Sequence, residues 1–251
     1  MGLCVFDLDH TLIRTPLDLA AMAADMRRLI ERERGPLPDR PERYRVFELV
    51  AWSKSQAPGL ERAVWAIALE HERRAMGAAT LEPGALDAVE GARRAGFQTA
   101  LWTNNARPVT LPALERLGLA ALLDLVVTRD DMKALKPDPD GWRVISEHFA
   151  ARLGARAASA DTATRSAGTR DAVVVGDSWV DGVAAAAVGV PFVAYGAREA
   201  DLTRHGVTPI ASLSDLARLP EWLTAHFGAF QGSPRRSTRL GSHCHDGHGR
   251  T

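Results

Sequence analysis

Two aspartates near the start of the chain carry the most chemistry. Asp7 and Asp9 follow an apolar run, Leu3-Cys4-Val5-Phe6, that reads as a buried strand, and Thr11 stands two residues beyond Asp9. Like charges two positions apart at a strand end repel, which disfavours folding unless a cation or a shared proton relieves them. A divalent metal is the usual relief, and Mg²⁺ suits carboxylate, carbonyl and water oxygens together with substrate phosphate. One carboxylate could then attack phosphorus and form an aspartyl-phosphate while the second moves protons. The plainer alternative is a polar turn closing the strand.

Three further segments bear on that choice. Phe97-Gln98-Thr99-Ala100-Leu101-Trp102 reads as a strand and is followed by Thr103-Asn104-Asn105, a hydroxyl and two amides that could either meet a phosphate oxygen or form a turn capping the next helix. In Leu135-Lys136-Pro137-Asp138-Pro139 the proline holds Lys136 extended, and an ammonium fixed there can neutralise an attacking carboxylate and a transferring phosphoryl group; the alternative is a solvated surface lysine. Ala172-Val173-Val174-Val175-Gly176 is a fully apolar strand that ends at Asp177, with Asp181 four residues on in the first turn of the next helix. Those two carboxylates would point into one small volume and complete an oxygen-rich metal site. Capping by Asp177 or Ser178 and dipole stabilisation by Asp181 explain the same residues equally well.

Taken in order, the four segments resemble the haloacid dehalogenase superfamily of phosphohydrolases, and within it the phosphoglycolate phosphatase-like branch with a helical cap. The resemblance runs over most of the chain. It implies Asp7 as nucleophile, Asp9 as general acid/base, Lys136 as the charge-balancing amine, and Thr103, Asn104 and Lys136 as phosphate-binding groups. It also implies Mg²⁺ held by Asp7, the Asp9 backbone carbonyl, Asp177 and Asp181. Three positions depart from the family pattern: His10 stands where relatives often have Gly, Arg14 where many have an acid, and Asn105 where phosphoglycolate phosphatase relatives often have Lys. They leave the substrate open. His10 could tune Asp9, or simply be hydrogen-bonded in a tight turn.

The activity implied is hydrolysis of a small phosphorylated metabolite, phosphoglycolate among the candidates. A β-phosphoglucomutase-like phosphotransferase and a non-catalytic interaction protein on the same fold are the alternatives. A dehalogenase is disfavoured by Asp9, and a binding module has no need of Asp7, Asp9, Lys136 and Asp177 together. Composition agrees with a small-molecule enzyme. Of 251 residues, 31 are basic and 31 acidic, so nothing attracts nucleic acid or an anionic membrane from a distance. Only Cys4 and Cys244 are present, which implies no disulfide framework and makes the reducing cytoplasm the expected location. No signal peptide or membrane span is expected. Oligomeric state is left open.

The elements needed to position these groups are legible as two patterns. Residues 15–80 have helical apolar spacing, broken by Gly35-Pro36-Leu37-Pro38 and Ala57-Pro58-Gly59 into about three helices, and so predict an inserted all-helical cap domain. Such a lid would keep water from an acyl-phosphate; a permanently packed helical layer is the alternative. Arginines crowd it, including Arg27, Arg28, Arg40, Arg43, Arg45 and Arg62; they read chiefly as solvated faces, with one or two available for a substrate carboxylate or sugar. From residue 82 onward helices near 84–94, 109–117, 140–153 and 180–188 alternate with strands 97–102, 124–127, 172–176 and 191–195. That alternation predicts an α/β, Rossmann-like parallel sheet covered by helices, with a core domain of residues 1–14 and 81–230 and all four motifs beyond the carboxyl ends of its strands. Residues 155–170 read as an exposed loop and 231–251 as a disordered tail. The tail's His243-Cys244-His245 and His248 lack a fold signal to fix a metal geometry.

Overall fold

The computed structural model describes residues 2–157 and 171–228. Six strands form one parallel sheet: β1 (Gly2–Phe6), β4 (Phe97–Trp102), β5 (Leu125–Val127), β6 (Ala172–Gly176), β7 (Phe192–Tyr195) and β8 (Ala211–Leu213), in the order β5-β4-β1-β6-β7-β8. The strands are apolar on both faces because both faces are covered. Cys4, Phe6, Leu101, Val173 and Val175 point to one side, into a core shared with α4 (Ala85–Arg94), α5 (Arg107–Arg116) and α9 (Leu219–Phe227). Their neighbours Val5, Ala100, Trp102 and Val174 point to the other, against α6 (Asp140–Ala157), α7 (Trp179–Ala187) and α8 (Glu199–Arg204). Strand β1 is central, pairing with β4 on one edge and β6 on the other, so the residues just beyond its carboxyl end are flanked by those beyond β4 and β6.

The helical stretch after β1 folds as α1 (Leu19–Arg34), α2 (Val46–Gln56) and α3 (Glu61–Gly77) around its own core of Met22, Met26, Ile30, Leu49, Val64 and Ala68. Asp18 caps α1 by accepting from the Ala20 and Ala21 backbone N–H groups at 2.9 Å. Gly35, with φ +89°, turns the chain out of α1, a conformation that an L side chain resists.

Some elements fall outside the sequence expectations. The helical block is entered and left through a two-stranded antiparallel ribbon, β2 (Ile13–Arg14) with β3 (Thr80–Leu81), and Arg14 clamps it through a forked pair with Glu82 at 2.6 and 3.0 Å. The strand at 211–213 and the helices on either side of it were also unforeseen. Helix α6 runs on to Ala157, so the start of the expected 155–170 loop is helical; its remainder, and the 231–251 tail with Cys244 and its histidines, lie outside the described residues. Among the described residues no helix is long and apolar enough to cross a membrane.

Candidate active site

The sheet's carboxyl edge collects all the sequence-predicted residues around one cavity of about 690 Å³, roofed by the helical block. Asp7 follows β1 directly, and its backbone N–H donates to the Val175 carbonyl at 2.9 Å, which ties it to β6. Lys136 reaches in from the loop after β5. Its ammonium donates to Asp7 Oδ1 at 2.7 Å, to Asp181 Oδ1 at 2.6 Å and to the Trp102 carbonyl at 2.7 Å, so all three donors are used and the amine is only 3 % exposed. Burial opposes its charge, and the carboxylates of Asp181 and Asp7 more than offset that, holding the amine above the ordinary lysine range. The solvated-surface reading of Lys136 is therefore excluded.

Asp181 sits in the first turn of α7, where its Oδ2 accepts from the Ser178 hydroxyl at 2.7 Å and the Ser178 backbone N–H at 3.3 Å. Capping and orientation toward the cavity are thus both true of this residue. Asp7, Asp177 and Asp181 each present a carboxylate oxygen, all within 4.8 Å of one another. Burial, followed by the nearby Asp7 and Asp181 charges, drives Asp177 up to about 9. Burial also drives Asp7 up to about 7, with the other aspartates adding to it and Lys136 opposing. Three acids against one ammonium, all-oxygen and partly dry, form a donor set that fits a hard divalent cation such as Mg²⁺.

Asp9 faces elsewhere. Its Oδ1 accepts from the Thr15 hydroxyl at 2.6 Å and its Oδ2 from the Asn105 amide, and its carboxylate is not one of the three clustered around a common point. Thr103 is buried just past β4, with its hydroxyl oxygen accepting from the Asn105 N–H at 3.2 Å. Asn104 exchanges two hydrogen bonds with the Lys136 peptide, donating to its carbonyl at 3.0 Å and accepting from its N–H at 2.9 Å. These bonds fix the loop that carries the ammonium. His10 is exposed and holds φ +57°, the conformation for which Gly is the easiest residue, so the departure seen in sequence falls on a left-handed turn.

Sequence reasoning missed the residues that hold the acids in place. Thr15 and Asn105 orient Asp9 across separations of 6 and 96 residues, and only the second lay in a noticed motif. Gly176 is needed because a Cβ there would lie 2.6 Å from the Asp181 carboxylate. Its place before Asp177 was visible, whereas the reason for it was not.

A family model described as haloacid dehalogenase-like hydrolase matches residues 4–185. The phosphoglycolate phosphatase of Rhodobacter capsulatus is 26 % identical over 230 residues, covering 86 % of this chain and 94 % of that protein. The ribulose-1,5-bisphosphate 5-phosphatase of Halopiger xanaduensis is 30 % identical over 231 residues, 84 % of each. A plasmid phosphoglycolate phosphatase of Cupriavidus necator is 34 % identical over 116 residues, which is 45 % of this chain and under half, 43 %, of that relative. Among solved structures, a subfamily IA hydrolase of the same superfamily from Geobacter sulfurreducens superposes with a TM-score of 0.54 at 21 % identity, over 88 % of this chain and 99 % of that one.

Proposed function

The chain belongs to the haloacid dehalogenase-like hydrolase family and is a phosphatase, and we propose that it hydrolyses a small phosphomonoester through an aspartyl-phosphate on Asp7, with Mg²⁺ as cofactor. The observation that carries this reading is the Lys136 ammonium joining Asp7 and Asp181, groups from three separate segments, in the lining of a cavity that also includes Asp9 and Thr103. Residues 15–80 act as the cap domain over a core of 1–14 and 81–230.

In this reading an Asp7 carboxylate oxygen attacks phosphorus in line with the departing oxygen, forming the Asp7 O–P bond as the ester P–O bond breaks. Lys136, fixed through the Asn104 bonds to its peptide, neutralises Asp7 and the charge gathering on the phosphoryl oxygens, while the Thr103 hydroxyl binds one of them. Asp9, oriented by Thr15 and Asn105, gives its proton to the leaving alkoxide and then takes one from water, whose oxygen displaces Asp7 and releases phosphate. Asp7, Asp177 and Asp181, together with the Asp9 carbonyl, would hold Mg²⁺, which supplies charge neutralisation at the phosphate and among the acids. The named relatives support a small phosphorylated acid or sugar as substrate, and the presence of only two cysteines supports a cytoplasmic enzyme.

The test is phosphate release from a panel of phosphorylated metabolites that includes phosphoglycolate, with Mg²⁺ and with chelator. Asp7→Asn should lower release by roughly a thousandfold or more while far-UV circular dichroism is unchanged. Release near the wild-type rate in that variant would refute covalent catalysis by Asp7.

A further inference from the structure

The cavity above Asp7 extends well past the space that a phosphoryl group needs, and its far wall has a chemistry of its own. At about 690 Å³ it lies inside the range of roughly 300–1,000 Å³ of pockets for drug-sized ligands, and a two-carbon acid would leave much of it empty. Away from the acids the wall is made by Leu19, Met22, Ala23, Phe47 and Trp65. Leu19 is 57 % exposed there on the first turn of α1. An apolar body laid against these side chains gains by burial.

One charged group on this wall is held in place by a ring and has no ion pair of its own among the described residues. Of the cavity arginines, Arg27 pairs with Glu31 and Arg129 with Glu72. Arg43 and Arg45 have no ion-pair partner among the described residues. Glu48, three residues after Arg45, is already taken by Arg40 at 2.6 Å and by the Arg45 backbone N–H. The Arg45 guanidinium lies 4.8 Å over the Trp179 ring. Trp179 in turn is stacked on His205 at 3.7 Å and met edge-on by Phe47 at 6.3 Å. A guanidinium resting on a ring spends its face and keeps its in-plane N–H donors, the ones that grip a carboxylate or phosphate in a bidentate pair.

We propose, resting on the hydrolase reading above, that Arg45 sets substrate choice by binding a second anionic group, and that the substrate is a phosphomonoester whose leaving group has an apolar body ending in that anion. Trp179 is the positioning residue: it belongs to the core just after Asp177, while Arg45 belongs to the helical block. The bound anion therefore joins the two layers over the reacting phosphate.

The test compares kcat/KM for benzyl phosphate, 4-carboxybenzyl phosphate and phosphoglycolate, each with Mg²⁺ and with Asp7→Asn as the blank. The expected order puts 4-carboxybenzyl phosphate first, ahead of benzyl phosphate by roughly tenfold to a hundredfold, the scale of one charge-assisted interaction. Arg45→Met should collapse that ratio toward one, Arg45→Lys should restore part of it, and Trp179→Leu should reduce it mainly through KM for the carboxylated ester. A wild-type ratio near one, an Arg45→Met loss that is equal for both benzyl esters, or phosphoglycolate ranking first would overturn the proposal while leaving the hydrolase reading intact. Release from all three no greater than from the Asp7→Asn blank would overturn both.

Discussion

Gly176 shows how closely the acids are packed at the level of single residues. A Cβ added there would sit 2.6 Å from the Asp181 carboxylate, well inside contact distance, and that carboxylate is already held on its other sides by Lys136 and Ser178. Gly176→Ala must therefore displace Asp181 rather than the strand, which is buried and paired with β7. We expect Mg²⁺ affinity and phosphate release to fall roughly 10–100-fold, as when a group supporting a metal ligand is removed, with the fold retained. Titration calorimetry with Mg²⁺ checks this, and an affinity equal to wild type would refute the proposed role of Asp181. The groups that this crowding involves were readable in sequence because each closes an apolar run: Asp7 after β1, Thr103 after β4, Asp177 after β6. The bonds of Thr15 and Asn105 to Asp9 were not readable, since nothing local in a sequence tells which distant amide will reach a given carboxylate. Asn104 was singled out by residue type as a phosphate ligand, and its bonds to the Lys136 peptide are a second role that its type did not announce.

Between elements, the helical block is fastened to the sheet domain by a buried pair. Glu72 on α3 accepts from Arg129, in the segment after β5, and from the Ala106 N–H at 3.1 Å, where α5 begins. The two side chains are 4 % and 8 % exposed, and the Arg129 guanidinium lies 4.7 Å over Trp65 of α3. Burial pushes Glu72 up to about 7, with Arg129 opposing. Removing the arginine alone strands a buried carboxyl, so Arg129→Met should cost about 3–5 kcal/mol in urea denaturation, and adding Glu72→Gln should recover much of it. The sign of the pH dependence follows from linkage: a carboxyl whose folded value exceeds its unfolded one binds more protons when native, so the loss in Arg129→Met should be larger at pH 8 than at pH 5. A loss independent of pH would show that Glu72 is not the stranded group. None of this clamp was visible beforehand, because Glu72 and Arg129 read as ordinary members of a charged helix face and a loop. Helices α1 to α7 and the strands β1, β4 and β6 were visible, since their patterns run over many residues. The β2–β3 ribbon was not, because strands of two residues have no period to detect.

At the scale of the whole molecule, alternation predicted a parallel sheet but could not give its order, which depends on long crossovers that place β1 in the middle. That central place is what brings Asp7 between the segments following β4 and β6 and concentrates negative charge at one point of a chain whose formal net charge is zero. A cation that binds there binds the folded state alone, because the three acids come together only when the sheet does. Mg²⁺ at a hundred times its dissociation constant should then add about 2.7 kcal/mol. For a chain of this size that moves the melting temperature up by roughly 5–10 °C. Asp177→Asn removes an acid that burial and its neighbours force to take up a proton when no cation is bound, so it should melt higher than wild type in chelator and gain little from Mg²⁺. The measurement is a thermal melt of both proteins in chelator, in Mg²⁺ and in NaCl of matched ionic strength. An equal Mg²⁺ increment in the two proteins, or a NaCl increment as large as that of Mg²⁺, would mean that the cation acts by general screening and that Asp7, Asp177 and Asp181 do not form its site.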